Sequence, residues 1–185
     1  MDTDNEITAA ILEPHFDAVR DTYVAYSPAP GVKLWKMRHV HFVIDDSIRD
    51  KDRHYAACRD DGKIQMYASA FVNDLELEQM VAIMAHEFGH AADFAYPGQW
   101  VTINPGQDDM KAVWVGMGKS RQAKQWREHH WHRRSADEIE WTADAIAEAV
   151  TGQKMHYCGK CVLECFASLG KGGPVVEETR PEGLR

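Results

Sequence analysis

The sequence predicts an α+β fold, in which helices pack on a small antiparallel sheet. Residues 39–45 alternate apolar and polar side chains, which is the pattern of a half-buried strand. Asp61-Gly62, with short apolar runs on either side, is a hairpin turn signal. Two segments with helical spacing of their apolar residues, 73–95 and 135–152, follow these strands. Strands and helices that are segregated along the chain are typical of an α+β domain.

The first predicted element is an amphipathic helix over residues 7–25. Pro14 either kinks this helix or marks its true first turn, because proline has no N–H to donate. The proline- and glycine-containing stretch at 27–31 ends the helix. Its apolar residues recur at the spacing of one helix face: Ile7, Ile11, Leu12, Phe16, Val19 and Tyr23.

The predicted sheet combines the strand at 39–45 with a hairpin whose strands are 55–58 and 64–67. Residues 68–71 can continue the edge of this sheet. All of these strands are expected to run antiparallel and to lie immediately before the next helix in the chain. The sheet and that helix are therefore expected to pack together.

Two segments between the sheet and the last helix have weak patterns. Residues 97–107 are predicted to be a loop, and Met110 to about His132 a helix. Lysine, arginine and histidine are concentrated between residues 119 and 134, just before the last helix. This basic stretch is either a solvated surface that borders a cleft or a surface that receives an acidic partner.

The helix predicted over 73–95 carries the most informative pattern, His86-Glu87-Phe88-Gly89-His90. Two histidines four residues apart stand one turn apart on one helix face, so their imidazoles can converge on one cation. Glu87 lies about 100° round the helix, close enough to reach a water on that cation. The opposite side is apolar, which indicates that it packs in a core. Gly89 would allow another backbone to pack closely beneath the site.

A third ligand is expected on the helix predicted over 135–152, because catalytic zinc sites usually have three protein ligands and a position for water. Glu140 lies at the edge of the apolar stripe of this helix. Asp144, one turn further on, can accept a hydrogen bond from a ligand histidine and fix its tautomer. A solvated acidic face is the alternative interpretation. Asp93, three residues after His90, is a competing candidate for the third ligand. Otherwise it is a residue that supports a ligand without binding the metal, or a plain surface residue.

The pair of motifs H-E-x-x-H at 86–90 and E-x-x-A-D at 140–144 resembles the gluzincin metallopeptidases, in their minimal bacterial and phage forms. The resemblance covers about residues 60–152. It implies a zincin fold and an edge strand that binds extended peptide by strand addition. A hairpin with a purely structural role is the alternative. The resemblance also implies the following roles: zinc ligands His86, His90 and Glu140, general base Glu87, and ligand support from Asp144.

This resemblance implies a zinc metallopeptidase that acts on a protein or peptide substrate. Zinc would lower the pKa of a water toward neutrality, and Glu87 would take the proton from that water. The sequence does not choose an oxyanion donor among Tyr96 and the histidines at 129–132. Two alternatives stay open: a phage-like regulatory protease or repressor-binding protein of the same fold, and a metal-binding module without turnover.

Length, charge and hydropathy restrict the other classes of protein to which the chain could belong. The chain has 185 residues, and we expect one domain over residues 1–170 with a loose tail at 171–185. The formal net charge of −8 argues against broad nucleic-acid affinity. No stretch reaches about 18 consecutive apolar residues, and the acidic N-terminus lacks the shape of a signal peptide. We therefore expect a cytoplasmic protein without a membrane or nucleic-acid partner. The sequence leaves its oligomeric state open.

The four cysteines allow three interpretations. Cys158 and Cys161 have the spacing of half a zinc knuckle, but a second matching pair is missing. Cys161 and Cys165 are four residues apart on an apolar segment, as buried core thiols are. Core thiols, a disulfide and a structural metal site, with His156 and Cys58 as candidates to complete it, therefore remain as alternatives.

Overall fold

In a computed structural model, the described part of the chain forms three long helices, a three-stranded sheet and a two-stranded hairpin. This mixed layout confirms the predicted α+β class. The structure describes residues 3–44, 56–59, 61–66, 77–116, 125, 131 and 133–155. The elements are, in chain order, α1 (Thr3–Ala25), a short 3-10 helix (Trp35–His39), β1 (His41–Ile44), β2 (Ala56–Cys58), β3 (Lys63–Met66), α2 (Leu77–Ala95), β4 (Trp100–Ile103), β5 (Lys111–Trp114) and α3 (Ala136–Thr151).

The helix α1 begins at Thr3, four residues before the predicted start, and ends at Ala25 as predicted. Pro14 lies inside this helix and does not mark its first turn. The buried face of α1 packs on α2 through aromatic rings: the centroids of Phe16 and Phe88 are 4.9 Å apart. This packing makes α1 one wall of the core. Its buried apolar residues are Leu12, Phe16, Val19 and Tyr23.

The three-stranded sheet has the order β1-β3-β2 and is mixed. The strands β2 and β3 form the predicted antiparallel hairpin, and its turn has Gly62 at a φ of +80°. However, β1 pairs with β3 in parallel, so the prediction of a wholly antiparallel sheet is wrong. The turn signal at residues 61–62 specifies only the direction of β2 relative to β3. β1 pairs at the edge of β3 that β2 leaves open, so the hairpin turn does not determine its direction. Residues 68–71 lie outside the described part.

The helix α2 is buried on almost every side. Its long apolar run packs against α1, the sheet and α3. The two motif histidines are also buried, with exposed fractions of 4% for His86 and 7% for His90. The start predicted at residue 73 lies outside the described part of the chain. The motif is thus placed at the centre of the molecule and not on its surface.

The hairpin of β4 and β5 overturns two predictions. Residues 97–107 are not all loop, and 111–114 are not helical, because Trp100–Ile103 and Lys111–Trp114 pair antiparallel. The tryptophans at the open end explain the pairing: the Trp100 and Trp114 rings meet edge to face, 5.0 Å apart. This cross-strand contact outweighs the weak helical periodicity of the isolated segment. The rest of the predicted helix lies largely outside the described residues.

The helix α3 has the predicted ends. Ser135 and Glu138 form the capping box, and Gly152 ends the helix at a φ of +71°. Met155 then returns to the core with 1% of its surface exposed. The predicted domain end at 170 and the tail at 171–185 lie beyond the described residues and stay predictions. Within the described residues, none of the helices combines the length and the apolar composition that crossing a membrane requires.

Candidate metal centre

The helices α2 and α3 meet at one glycine. A Cβ atom added to Gly89 would lie 2.2 Å from the carbonyl oxygen of Ala143, far closer than two non-bonded atoms can approach. The absence of a side chain at Gly89 therefore lets the two backbones touch, as the sequence predicted. Because Gly89 lies between the two histidines of the motif, this contact brings α3 directly beneath them.

Three candidate ligand atoms converge above this crossing. His86 Nε2 lies 3.0 Å from His90 Nε2 and 3.0 Å from Glu140 Oε2. His90 Nε2 lies 3.3 Å from Glu140 Oε2. Ligand atoms about 2.0–2.1 Å from a tetrahedral metal stand about 3.3 Å from one another, so these separations fit such an ion. The group of His86, His90 and Glu140 could therefore hold a metal ion.

Asp144 supports this group from below. Its Oδ1 accepts a hydrogen bond from His86 Nδ1, with 2.6 Å between the two atoms, and its side chain has no exposed surface. Since Nδ1 carries the proton, the lone pair of the neutral imidazole is at Nε2, which faces the other two ligand atoms. The hydrogen bond that the sequence predicted for Asp144 is present, and it orients His86 for a cation.

The charges around the group are mutually dependent. Burial lowers the pKa of His86, but the charge and hydrogen bond of Asp144 and the hydrogen bond of Glu140 raise it well above its usual value. Burial also raises the pKa of Glu140, but the hydrogen bonds from His86 and His90 outweigh this and lower it. Glu140 is therefore a carboxylate at neutral pH. The same negative surroundings that retain a proton on His86 would favour a divalent cation.

Tyr23 is a supporting residue that the sequence did not indicate. Its hydroxyl donates to the carbonyl oxygen of Ala85, 2.7 Å away, immediately before His86 in the chain. Burial and the charge of Asp144 raise the pKa of Tyr23, so its hydroxyl stays protonated. The contact joins residues 62 positions apart, and no local pattern could have revealed it.

Glu87 follows His86 on α2 and is 7% exposed. Its negative charge contributes to the raised pKa of His86, so the two side chains are electrostatically coupled. Glu87 is not part of the group of three ligand atoms. The role of general base that the motif predicts for Glu87 stays a prediction.

Asp93, the competing third ligand, lies elsewhere. It is buried and accepts hydrogen bonds from Arg134 Nη2 at 2.5 Å and from Trp131 Nε1 at 3.3 Å. It does not belong to the ligand group that contains Glu140. Its spacing from the two histidines predicted a position on the same helix face as theirs. In the structure, the carboxylate of Asp93 instead forms an ion pair with the guanidinium of Arg134.

The remaining candidates are less informative. Tyr96, proposed as an oxyanion donor, accepts a hydrogen bond at its hydroxyl from the backbone N–H of Lys36 at 3.1 Å. Cys58 is a half-buried cysteine in β2, and its Sγ lies 3.4 Å from the carbonyl oxygen of Arg59. The other three cysteines and the histidines at 129, 130 and 132 lie outside the described residues.

Comparison of the chain with known protein families, with curated proteins and with solved structures finds no match.

Proposed function

We propose that this chain is a zinc-dependent metallopeptidase of the gluzincin type. The observation that carries the proposal is the convergence of His86 Nε2, His90 Nε2 and Glu140 Oε2 within 3.3 Å of one another. Two imidazoles and one carboxylate are the ligand set of peptidases that use zinc with an open position for water. Asp144, hydrogen-bonded to Nδ1 of His86, completes the pattern expected around such a ligand.

Each residue then has a chemical role. When bound, zinc lowers the pKa of a water toward neutrality and polarises the scissile carbonyl. Glu87, next to His86, would serve as the general base that takes a proton from the attacking water and passes it to the leaving amine. Asp144 keeps the His86 proton on Nδ1, so that Nε2 remains available. The burial of both histidines limits the access of bulk water to the site.

The substrate in this proposal is an extended peptide. In the order β1-β3-β2, the strand β2 is an edge of the sheet as far as the structure describes it. An edge strand offers backbone N–H and C=O groups to which another strand can add. The strand β2 packs on α2, which carries the motif, so a peptide added at β2 would lie beside that helix.

The deciding experiment combines metal analysis with hydrolysis of casein and of a peptide library. Wild type and Glu87→Gln should each bind one zinc at the site and have the same fold. The variant should lose hydrolysis by about 10²-fold or more, because proton transfer by a positioned base contributes at least that much.

The control is Glu78→Gln, an exposed glutamate in the first turn of α2, which should hydrolyse peptides like wild type. A zinc-loaded Glu87→Gln protein with wild-type turnover would refute the role of Glu87. A zinc-loaded wild type without any peptide hydrolysis would refute the proposed function.

A further inference from the structure

Asp93 is a buried carboxylate that the proposed chemistry does not use. It lies on α2 one turn after His90 and is 1% exposed. Its two oxygens accept hydrogen bonds from Arg134 Nη2 and Trp131 Nε1. Arg134 is itself only 16% exposed, so this is a largely buried ion pair. We call Asp93, Trp131 and Arg134 the Asp93 cluster. Buried ion pairs add little net stability, which directs attention to what this one positions.

The first connection from the cluster leads to Glu140. Arg134 is the residue immediately before Ser135, whose side chain caps the N-terminus of α3. The ion pair therefore ties the start of α3 to the last turns of α2. Glu140 lies in the second turn of α3, and its side chain is 29% exposed. Its carboxylate contacts both histidines, so the position of α3 decides whether it reaches them.

The second connection leads to His90. The Trp131 ring lies beneath the guanidinium of Arg134, 5.2 Å from its carbon, and meets the Phe94 ring edge to face at 6.2 Å. Phe94 in turn stacks on the imidazole of His90, with 6.1 Å between centroids and 17° between planes. The hydrogen bond from Trp131 to Asp93 thus supports an aromatic stack that ends on a ligand histidine.

We propose that Asp93 is a positioning residue, which sets the placement of Glu140 through Arg134 and the orientation of His90 through Trp131 and Phe94. This inference rests on the proposed metal centre and gives it a further structural support, beside Asp144, Tyr23 and the Gly89 crossing. Asp93 binds no metal itself. It determines whether the three ligand atoms are held at the separations that the metal requires.

The test uses the full chain and measures metal binding, not catalysis. Zinc affinity is determined by competition with a chelator, and the coordination is followed by the visible absorption of the Co²⁺-substituted protein. Asp93→Asn and Arg134→Gln should each lower zinc affinity about tenfold or more, in the range of losses seen for residues that support metal ligands. At full metal loading, their Co²⁺ bands should shift in wavelength, which a loss of stability alone would not cause.

Two further variants sharpen the test. Arg134→Lys keeps the charge but not the planar guanidinium that binds Asp93 and covers Trp131, so it should show a smaller loss with the same change in spectrum. Arg20→Gln is the matched control. Arg20 pairs with Asp17 on α1, 2.9 Å apart, and its loss should leave affinity and spectrum unchanged.

The outcomes are distinct. Wild-type affinity and spectrum in Asp93→Asn and Arg134→Lys would overturn the proposal, and Arg134→Lys decides if Asp93→Asn does not fold. The double variant Asp93→Asn/Arg134→Gln should lose no more affinity than the larger single loss, and additive losses would overturn the route through Arg134. Peptide hydrolysis is assayed separately: its absence in zinc-loaded wild type would refute the proposed function, while weakened metal binding in the variants would still support the role of Asp93.

Discussion

Asp144 is completely buried, but only one of its two carboxylate oxygens has a hydrogen-bond partner among the described residues. Its Oδ1 accepts a hydrogen bond from His86 Nδ1, whereas its Oδ2 is without a hydrogen-bond partner in the part of the chain that the structure describes. A buried carboxylate is costly unless a nearby positive charge compensates it. A cation on Nε2 of His86 would provide that charge through the ring. Asp144 is therefore expected to affect metal binding more than any exposed acid on the same helix.

We expect Asp144→Asn to lower zinc affinity by about 10- to 100-fold without unfolding the protein. The amide has no charge, and its NH₂ group facing Nδ1 would favour the tautomer that blocks Nε2. Competition with a chelator measures the change. Asp137→Asn, an exposed acid in the first turn of α3, is the control and should bind zinc like wild type. Equal affinities for the two variants would contradict this role.

At the level of residues, the sequence predicted those contacts that helix geometry determines. His86 and His90 are one turn apart, as are Glu140 and Asp144, so the members of each pair lie on the same face of their helix. The partner of Asp93 could not be predicted, since Arg134 is 41 residues further on and several neighbouring cations were equally plausible. Tyr23 was missed for the same reason. Local periodicity carries no information about which distant side chain fills a gap.

At the level of elements, the crossing of α2 and α3 is the contact that assembles the centre. Glycine at position 89 has a cost, because in an exposed helix interior it is about 1 kcal/mol less favourable than alanine. Here the backbone of Ala143 occupies the space where the Cβ would be. Packing between the helices therefore outweighs helix propensity at this position.

We expect Gly89→Ala to destabilise the protein by about 1–3 kcal/mol, the usual cost of overpacking, although propensity alone predicts the opposite sign. The forced separation of the helices should also weaken zinc binding. Urea unfolding measures the first effect and chelator competition the second. Gly152→Ala is the control: it is strained by its φ of +71° but has open space around it, so it should lose stability and keep zinc affinity. An unchanged or stabilised Gly89→Ala protein would contradict the close crossing.

The hairpin of β4 and β5 shows why short elements were predicted poorly. Its strands have four residues each, too few for a clear alternation. Their pairing depends on contacts that are remote in sequence, such as the 2.9 Å hydrogen bond between the Thr102 and Thr142 hydroxyls. The parallel pairing of β1 with β3 is similar, since a turn signal specifies only the hairpin that it closes. The long helices were predicted better because several turns repeat the same signal.

On the scale of the whole molecule, the candidate ligands come from two helices: Glu140 on α3 is 54 residues after His86 and 50 residues after His90 on α2. A bound metal would therefore cross-link α2 and α3 in the folded state only. Binding of this kind stabilises a protein by mass action, by about 2.7 kcal/mol when the free ligand is at 100 times its Kd.

We accordingly expect zinc to raise the free energy of unfolding of wild type by an amount that grows with free zinc concentration. Glu140→Gln, which removes one ligand charge, should gain clearly less at the same free zinc concentration. Urea unfolding in zinc buffers and in chelator gives both values. An equal increase in the free energy of unfolding of the two proteins would mean that zinc stabilises the fold by binding at another site.

The single crossing point at Gly89 and Ala143 also gives the centre a lever geometry. Glu140 is three residues from that pivot along α3, or about 4.5 Å, whereas Ala136, the first residue of the helix, is seven residues away, or about 10 Å. A sideways shift of about 1 Å at the start of α3 would therefore move Glu140 by a little less than half as much, by the ratio of these arms. A small variation at the Arg134 contact is thus reduced before it reaches the Glu140 carboxylate. Complete loss of that contact instead releases the long arm, and the distances between the candidate ligand atoms change with it.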